Sequence, residues 1–160
     1  MKFEFLKNKF FVLFIFFLTI LPIDQLSKAW ARNNLETPKL ILDKNIGFAL
    51  TSNSGSAFSL FSNSTIFVTI LATIIITILI VAYFRSNSGL LTYAYAVIAV
   101  GASGNLLDRF FQPPYNGHGH VTDFIKIFSW PTFNVADMVV SLGAAMLLVS
   151  AFFVRGKENG

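Results

Sequence analysis

The sequence has no cysteine, only two histidines and few charges. Without a thiol there is no disulfide and no cysteine nucleophile, and cysteine usage leaves the compartment undecided. The two histidines, His118 and His120, lie in 113-PPYNGHGH-120, a Pro/Gly-rich loop where nothing nearby completes a metal-ligand set. No metal and no cofactor are therefore expected. Charged residues make up 12% of the 160 and hydrophobic residues 54%, against roughly 25% charged in an ordinary globular chain. A soluble globular domain is excluded. The formal charge of +4 does not mark a nucleic-acid binder, because the basic residues flank apolar runs and form no patch with interleaved aromatics. There is no internal repeat and no low-complexity tract.

What the chain does have is 19 phenylalanines, large side chains without a polar handle that suit a lipid-facing surface. Four apolar stretches are long enough to cross a hydrocarbon core, which takes about 20 residues. They run over 10–31, 66–84, 90–107 and 133–154. Pro22 is expected to bend the first, and the second carries no ionisable group except Tyr83 near its end. The middle pair is joined by the polar hairpin 85-RSNSG-89. Longer loops, 32–64 and 108–132, connect the others. Within the first loop, 45-NIGFALTSNSGSAFSL-60 mixes strand formers with turn residues, so a short sheet or hairpin is expected there. The reading is a single domain over 1–160: an all-α membrane protein of four transmembrane helices, with a small extracytoplasmic β-rich region between helices 1 and 2.

Four spans put both termini on one side. Lys2, Lys7, Lys9, Arg85, Arg155 and Lys157 lie on that side, and Lys28, Arg32, Lys39, Lys44, Arg109 and Lys126 on the other. The count is tied, but the terminal side packs its basic residues into roughly twenty positions, and density places both termini in the cytoplasm. Cleavage of the first span as a signal peptide after Ala29-Trp30-Ala31 is disfavoured by Asp24 and Lys28 in the segment before the cut. The tripeptide 63-NST-65 matches a glycosylation acceptor, a pattern too common to carry weight.

Two aspartates stand out. Asp123 in 121-VTDF-124 and Asp137 in 133-FNVAD-137 flank the start of the fourth span. A carboxylate near lipid is costly unless paired, solvated or used. Counting the helix from Phe133, Asp137 lies about 6 Å below its outer end at 1.5 Å per residue. If Asp123 folds back against it, two like charges cannot both ionise easily, and one is held as an acid while the other serves as a base for water. A proton or cation path through the bundle is the competing reading. Asp24 and Lys28, four apart, share a helix face and can pair, or simply form a charged end to the first span. Asp108 and Arg109, after Asn105, read as polar caps on the third span, and Arg109 could brace a carboxylate or a peptide carbonyl. Asn53, Gly55 and Asn134 alone mean turns more often than a site.

The blocks 24-DQLSK-28, 53-NSGSAF-58, 104-GNLLDR-109, 121-VTDF-124 and 133-FNVAD-137, in this order, resemble the lipoprotein signal peptidases (signal peptidase II). The resemblance runs from about Asp24 to Val154. It implies an aspartic endopeptidase of the bacterial inner membrane with both termini cytoplasmic and its active site near the extracytoplasmic surface. It implies as substrates prolipoproteins already diacylglyceryl-modified on cysteine, cut before that residue, and membrane lipid as surroundings. No nucleic acid is implied, and a monomer is expected. The catalytic pair falls on Asp123 and Asp137, and the supporting residues on Asp24, Lys28, Asn53, Gly55, Asn105, Asp108, Arg109 and Asn134. By the same resemblance, the first outer loop supplies a small sheet and a surface helix that hold substrate. Ser56 departs from the alanine more usual in the family, and the loop 112–120 is longer than in many relatives. An ion pathway would need ionisable groups near mid-membrane, which the spans lack; a non-enzymatic assembly subunit would not require both aspartates.

Overall fold

A computed structural model describes residues 2–42, 45–55, 65–87 and 89–158. Helix α1 (Lys2–Asn34) leads into strands β1 (Lys39–Ile41) and β2 (Ile46–Asn53), then α2 (Thr65–Arg85), α3 (Gly89–Phe111), β3 (Val121–Ile127) and α4 (Val135–Glu158). Four stretches of these helices are long and apolar enough to cross a membrane: Asn8–Asn34, Thr65–Arg85, Gly89–Phe111 and Val135–Phe152.

The helix α2 is apolar all round, and Ile70, Ile74, Ile78 and Val81 stand on its surface. Such a helix is stable only in lipid. Its polar groups are closed internally, as a hydrocarbon phase requires. Thr69, Thr73 and Thr77 donate their hydroxyls to the carbonyls of Thr65, Thr69 and Thr73 at 2.9, 2.8 and 2.8 Å. By contrast α3 is the packed helix of the bundle, in contact with α1, α2 and α4. Its buried face is built from small residues, among them Ala94, Ala96, Ala99, Gly101 and Gly104, which let helix backbones approach closely. A Cβ added at Gly101 would stand 3.0 Å from the Ala136 carbonyl oxygen on α4, and one at Gly143 would meet Ile98 Cγ1 at 2.5 Å.

Three boundaries differ from the sequence reading. The first helix runs unbroken through Pro22 and on to Asn34. Asp108 and Arg109 do not cap the third span but lie inside α3, which continues to Phe111. Both are buried, at 0% and 7% exposure, and Lys28 answers the Asp108 charge inside the protein, so the helix need not stop at Asp108. Asp137 is the third residue of α4, within its first turn and shallower than counted.

The sheet is three-stranded and antiparallel in the order β1-β2-β3. Its third strand comes from the second loop, so the β region is not confined to the segment between helices 1 and 2. An aromatic cluster fastens it to the end of α1: Trp30 meets the Phe48 ring edge-on at 5.4 Å, and Phe124 lies 6.4 Å from both. Ala31, Leu35 and Phe124 form the buried core beneath. Ser56, the expected surface helix and most of 63-NST-65 lie outside the described residues.

At the opposite end of the bundle, Lys9 is buried to 7% exposure and is more than a surface anchor. Its ammonium donates to the carbonyls of Tyr83 at 2.9 Å and of Ser86, at the C-terminal end of α2. The Tyr83 hydroxyl returns a bond to the Lys9 carbonyl at 2.8 Å. A cation at a helix C-terminus is favourably placed, and here it ties α1 to the α2–α3 turn.

Candidate active site

The start of α4 organises the site. A helix begins with backbone N–H groups that lack partners inside it. Asn134 precedes α4, and its Oδ1 accepts from the Asp137 N–H at 3.0 Å while Asp137 Oδ2 accepts from the Asn134 N–H at 3.1 Å. This is a reciprocal capping box in which asparagine and aspartate play the usual parts of serine and glutamate. The Ala136 N–H is capped from α1, by Asp24 Oδ1 at 2.9 Å. Helix capping thus fixes the Asp137 carboxylate.

The same asparagine reaches the other aspartate. Asn134 Nδ2 donates to Asp123 Oδ1 at 2.6 Å and to Asn105 Oδ1 at 3.1 Å. Asn105 Nδ2 then donates to Asp137 Oδ1 at 2.7 Å. Asp123 Oδ2 accepts from Asn53 Nδ2 at 2.9 Å. Register delivers that contact, since β2 pairs Thr51 with Asp123 and Asn53 stands two residues along on the same face. Asn53 Oδ1 accepts the Gly55 N–H at 2.8 Å, and Gly55 takes a φ of 91° that favours glycine.

Below this layer sits a buried ion cluster. Lys28 Nζ lies 2.9 Å from Asp24 Oδ2, 3.3 Å from Asp108 Oδ2 and 2.9 Å from Asn105 Oδ1. All three charged side chains are 0–1% exposed, so the pair is no interfacial anchor. Asp108 Oδ2 also accepts the Thr122 N–H at 2.9 Å and so holds β3 beside Asp123. At Gly104 an added Cβ would lie 2.6 Å from Asp24 Oδ2, and a side chain there would push into the cluster.

All ten residues anticipated from the sequence fall in or beside this network. Arg109 differs in detail: it braces no carboxylate by a hydrogen bond among the described residues. Its Nη1 is buried without a partner, and a Cβ on Gly55 would meet Nη2 at 3.4 Å. Gln25 was missed. Its Nε2 lies 3.0 Å from Asp24 Oδ2, 3.0 Å from the Gly104 carbonyl and 3.2 Å from Asp108 Oδ1, so it bridges the two buried carboxylates.

The two central carboxyl groups differ in environment. Asp123 is 1% exposed. Burial pushes its carboxyl up from 3.8 to about 6, and the Asp137 charge adds to the rise. The amide bonds from Asn53 and Asn134 and the Lys28 charge pull against it. Asp137 is half-buried and opens onto a cavity of about 440 Å³ lined by Ile127, Trp130, Phe133, Met138 and Ser141. A buried acid beside a carboxylate facing an apolar groove can divide proton donation from proton acceptance. Among the described residues no three His, Asp or Glu side chains converge as metal ligands.

The family described as Signal peptidase (SPase) II matches residues 15–153. The lipoprotein signal peptidase of Mycobacterium avium (strain 104) is 36% identical over 141 residues, covering 84% of this chain and 75% of its own. That of Mycobacterium leprae (strain Br4923) is 37% identical over 136 residues, covering 84% and 68%. That of Rhodococcus jostii (strain RHA1) is 33% identical over 140 residues, covering 86% and 71%. Two solved structures of bacterial membrane enzymes share the fold, with TM-scores of 0.74 and 0.73 at 20% and 21% identity. Each covers 88% of this chain, and the matches span 87% and 92% of the respective neighbours.

Infrared difference spectra of carboxyl C=O stretches test the asymmetry of the two carboxyl groups. A carboxyl should titrate near pH 6 and vanish in Asp123→Asn. Its midpoint should rise in Asn53→Ala, which removes a bond favouring the charged form, and fall in Asp137→Asn, which removes a like charge. Because the folded-state value lies above the unfolded one, Asp123 contributes stability that is complete below pH 3.8 and lost as pH rises through about 6. A band confined to the ordinary range near about 4 would contradict the assignment.

Proposed function

This chain belongs to the signal peptidase II family, and on that premise we propose how its residues remove the signal peptide from a prolipoprotein. The substrate is a precursor whose cysteine carries diacylglyceryl, and the bond cut is the one before that cysteine. Acyl chains hold such a cysteine at the membrane surface. The dyad lies at the matching level, at the first turn of α4 and beside a sheet packed on the end of α1. The apolar groove below Asp137 suits an acyl chain, and lipid binding there becomes positioning at the dyad.

One observation carries the mechanism: a single residue, Asn134, bonds both carboxyl groups, Asp123 through its side-chain amide and Asp137 through its backbone N–H. Asp137, open to the groove, takes a proton from water, and the water oxygen attacks the scissile carbonyl. Asp123 gives a proton to the leaving nitrogen. The Arg109 Nη1, buried and without a partner among the described residues, is the donor we assign to the charge that develops on the carbonyl oxygen. Water attack needs no covalent intermediate.

The decisive assay is incubation of the purified protein with a diacylglyceryl-modified precursor beside the unmodified one. The modified precursor should be cut and the unmodified one left intact. Asp123→Asn and Asp137→Asn should each lower turnover by roughly a thousandfold or more, and the double variant should be no worse than either single, as for groups acting as a unit. In the same assay Arg109→Lys keeps the charge but loses the planar fork, and turnover should drop about tenfold. Near-normal turnover by either aspartate variant ends the aspartyl reading.

Chain 1–160 forms a single peptidase domain in the bacterial inner membrane, and one copy suffices for the dyad network. Both termini face the cytoplasm, and the sheet and dyad face outward. The absence of native cysteine makes this directly measurable. A membrane-impermeant maleimide added to intact cells should label Lys39→Cys and not Asn87→Cys. The reverse pattern would invert the topology.

A further inference from the structure

On the face of the sheet turned away from the dyad lies a cavity of about 500 Å³. The pairing of Ser52 with Thr122, and of Thr51 with Asp123, decides which face this is. Neighbours along a strand point to opposite sides, so Ser52 and Thr122 turn away from the catalytic carboxyl. Arg32, His120, Gln112 and Thr51, whose neighbours Leu50 and Ser52 also line it, complete the polar part of the lining.

The chemistry of this cavity is one-sided. Arg32 is half-buried, and its Nη1 donates to Thr122 Oγ1 at 2.8 Å. Among the described residues no carboxylate pairs with it. A guanidinium has five N–H donors in a planar fork, so one neutral hydroxyl leaves most of them and the whole charge unanswered. His120 Nδ1 and Ser52 Oγ lie 2.9 Å apart. When the serine hydroxyl donates to Nδ1, the ring carries its proton on Nε2 as a further donor. Among the described residues no acidic side chain lines the cavity. A group with several acceptor oxygens and negative charge is what this set of donors recognises, and Arg matches phosphate geometry in particular.

Depth selects the source of that phosphate. Arg32 stands two residues before the end of α1 at Asn34, and Gln112 follows directly on the end of α3 at Phe111. The cavity therefore sits at the boundary where two spanning helices leave the hydrocarbon, the level of lipid headgroups. Exposed apolar side chains lie at the same level, Leu50 in the lining and Phe111 beside Gln112, at 42% and 69% exposure. They would meet acyl chains below a bound headgroup. We propose that this cavity is a binding site for the phosphate of an anionic phospholipid, held by Arg32 and His120. A lipid there braces Thr122, the residue preceding Asp123, through Arg32. The proposal rests on the membrane placement given above and not on the peptidase mechanism.

The test measures binding, so it stands or falls apart from cleavage. Full-length protein in detergent is titrated with phosphatidylglycerol or phosphatidylcholine and followed by native mass spectrometry. Phosphatidylglycerol should bind about tenfold more tightly, the size of effect expected for a charge-assisted hydrogen-bond set. Arg32→Gln and His120→Ala should each remove most of that preference, while Lys39→Gln, exposed on β1, should retain it. Thermal unfolding reports whether each variant is folded; if Arg32→Gln is not, His120→Ala decides. Competing arms with inorganic phosphate and a short acidic peptide separate the sources of negative charge. Equal binding of the two lipids, a preference untouched by both cavity variants, or displacement by either competitor at concentrations matching the lipid would overturn the proposal.

Discussion

Lys28 is the charge on which the rest of the site depends. Its ammonium is buried among Asp24, Asp108 and Asn105, with no water-exposed surface. Burying such a cluster is not in itself a gain, because desolvation offsets most of the attraction. What it contributes is placement. Asp24, held by Lys28, caps the first turn of α4; Asp108, held by Lys28, fixes the backbone of β3; Asn105, held by Lys28, orients the amide that meets Asp137. Three elements distant in sequence are drawn to one cation.

Above that cation the site is an alternation of carboxylates and amides. Asn134 and Asn105 each use both ends of the amide group, so neither can flip without breaking a bond to an aspartate. Asp123 receives two amide donors in a buried pocket, whereas Asp137 faces a groove. The asymmetry follows from where each residue is carried. A strand tucked behind β2 hides Asp123, and a helix N-terminus at the bundle's end leaves Asp137 open. The division of acid and base duties proposed for the pair rests on those two addresses.

Much of this was legible in the sequence, for a physical reason. In a chain with so few charges, each ionisable group near an apolar run has to be paired or used, so Asp123 and Asp137 stand out, while Asp24, Lys28 and Asp108 read equally as charged helix ends until the family resemblance sets them in a site. The blocks shared with signal peptidase II added Asn53, Gly55, Asn105 and Asn134, which as isolated turn residues say nothing. Boundaries were less legible. Asp108 and Arg109 look like a membrane exit because sequence alone cannot reveal that Lys28 answers one of them from another helix. The strand Val121–Ile127 was hidden by the loop around it, although Val121, Thr122, Phe124, Ile125 and Ile127 are strand formers. Its pairing with β2 joins segments separated by about half of the chain, which local pattern does not encode. Gln25 escaped because a glutamine beside an aspartate has no signature of its own.

Lys28 places the dyad and is not merely an ion-pair partner. Lys28→Met leaves Asp24 and Asp108 buried without a cation, a loss of roughly 3–5 kcal/mol. Adding Asp24→Asn and Asp108→Asn removes the stranded charges while keeping acceptors for the Ala136 and Thr122 N–H groups. The measurement is cleavage of a diacylglyceryl-modified precursor by this triple variant, beside its unfolding midpoint in detergent. The midpoint should be restored toward wild type with turnover still severely reduced, because Asn105 keeps the Asn134 amide but has lost the Lys28 donor that holds it toward Asp137. Recovery of full turnover together with stability would contradict it.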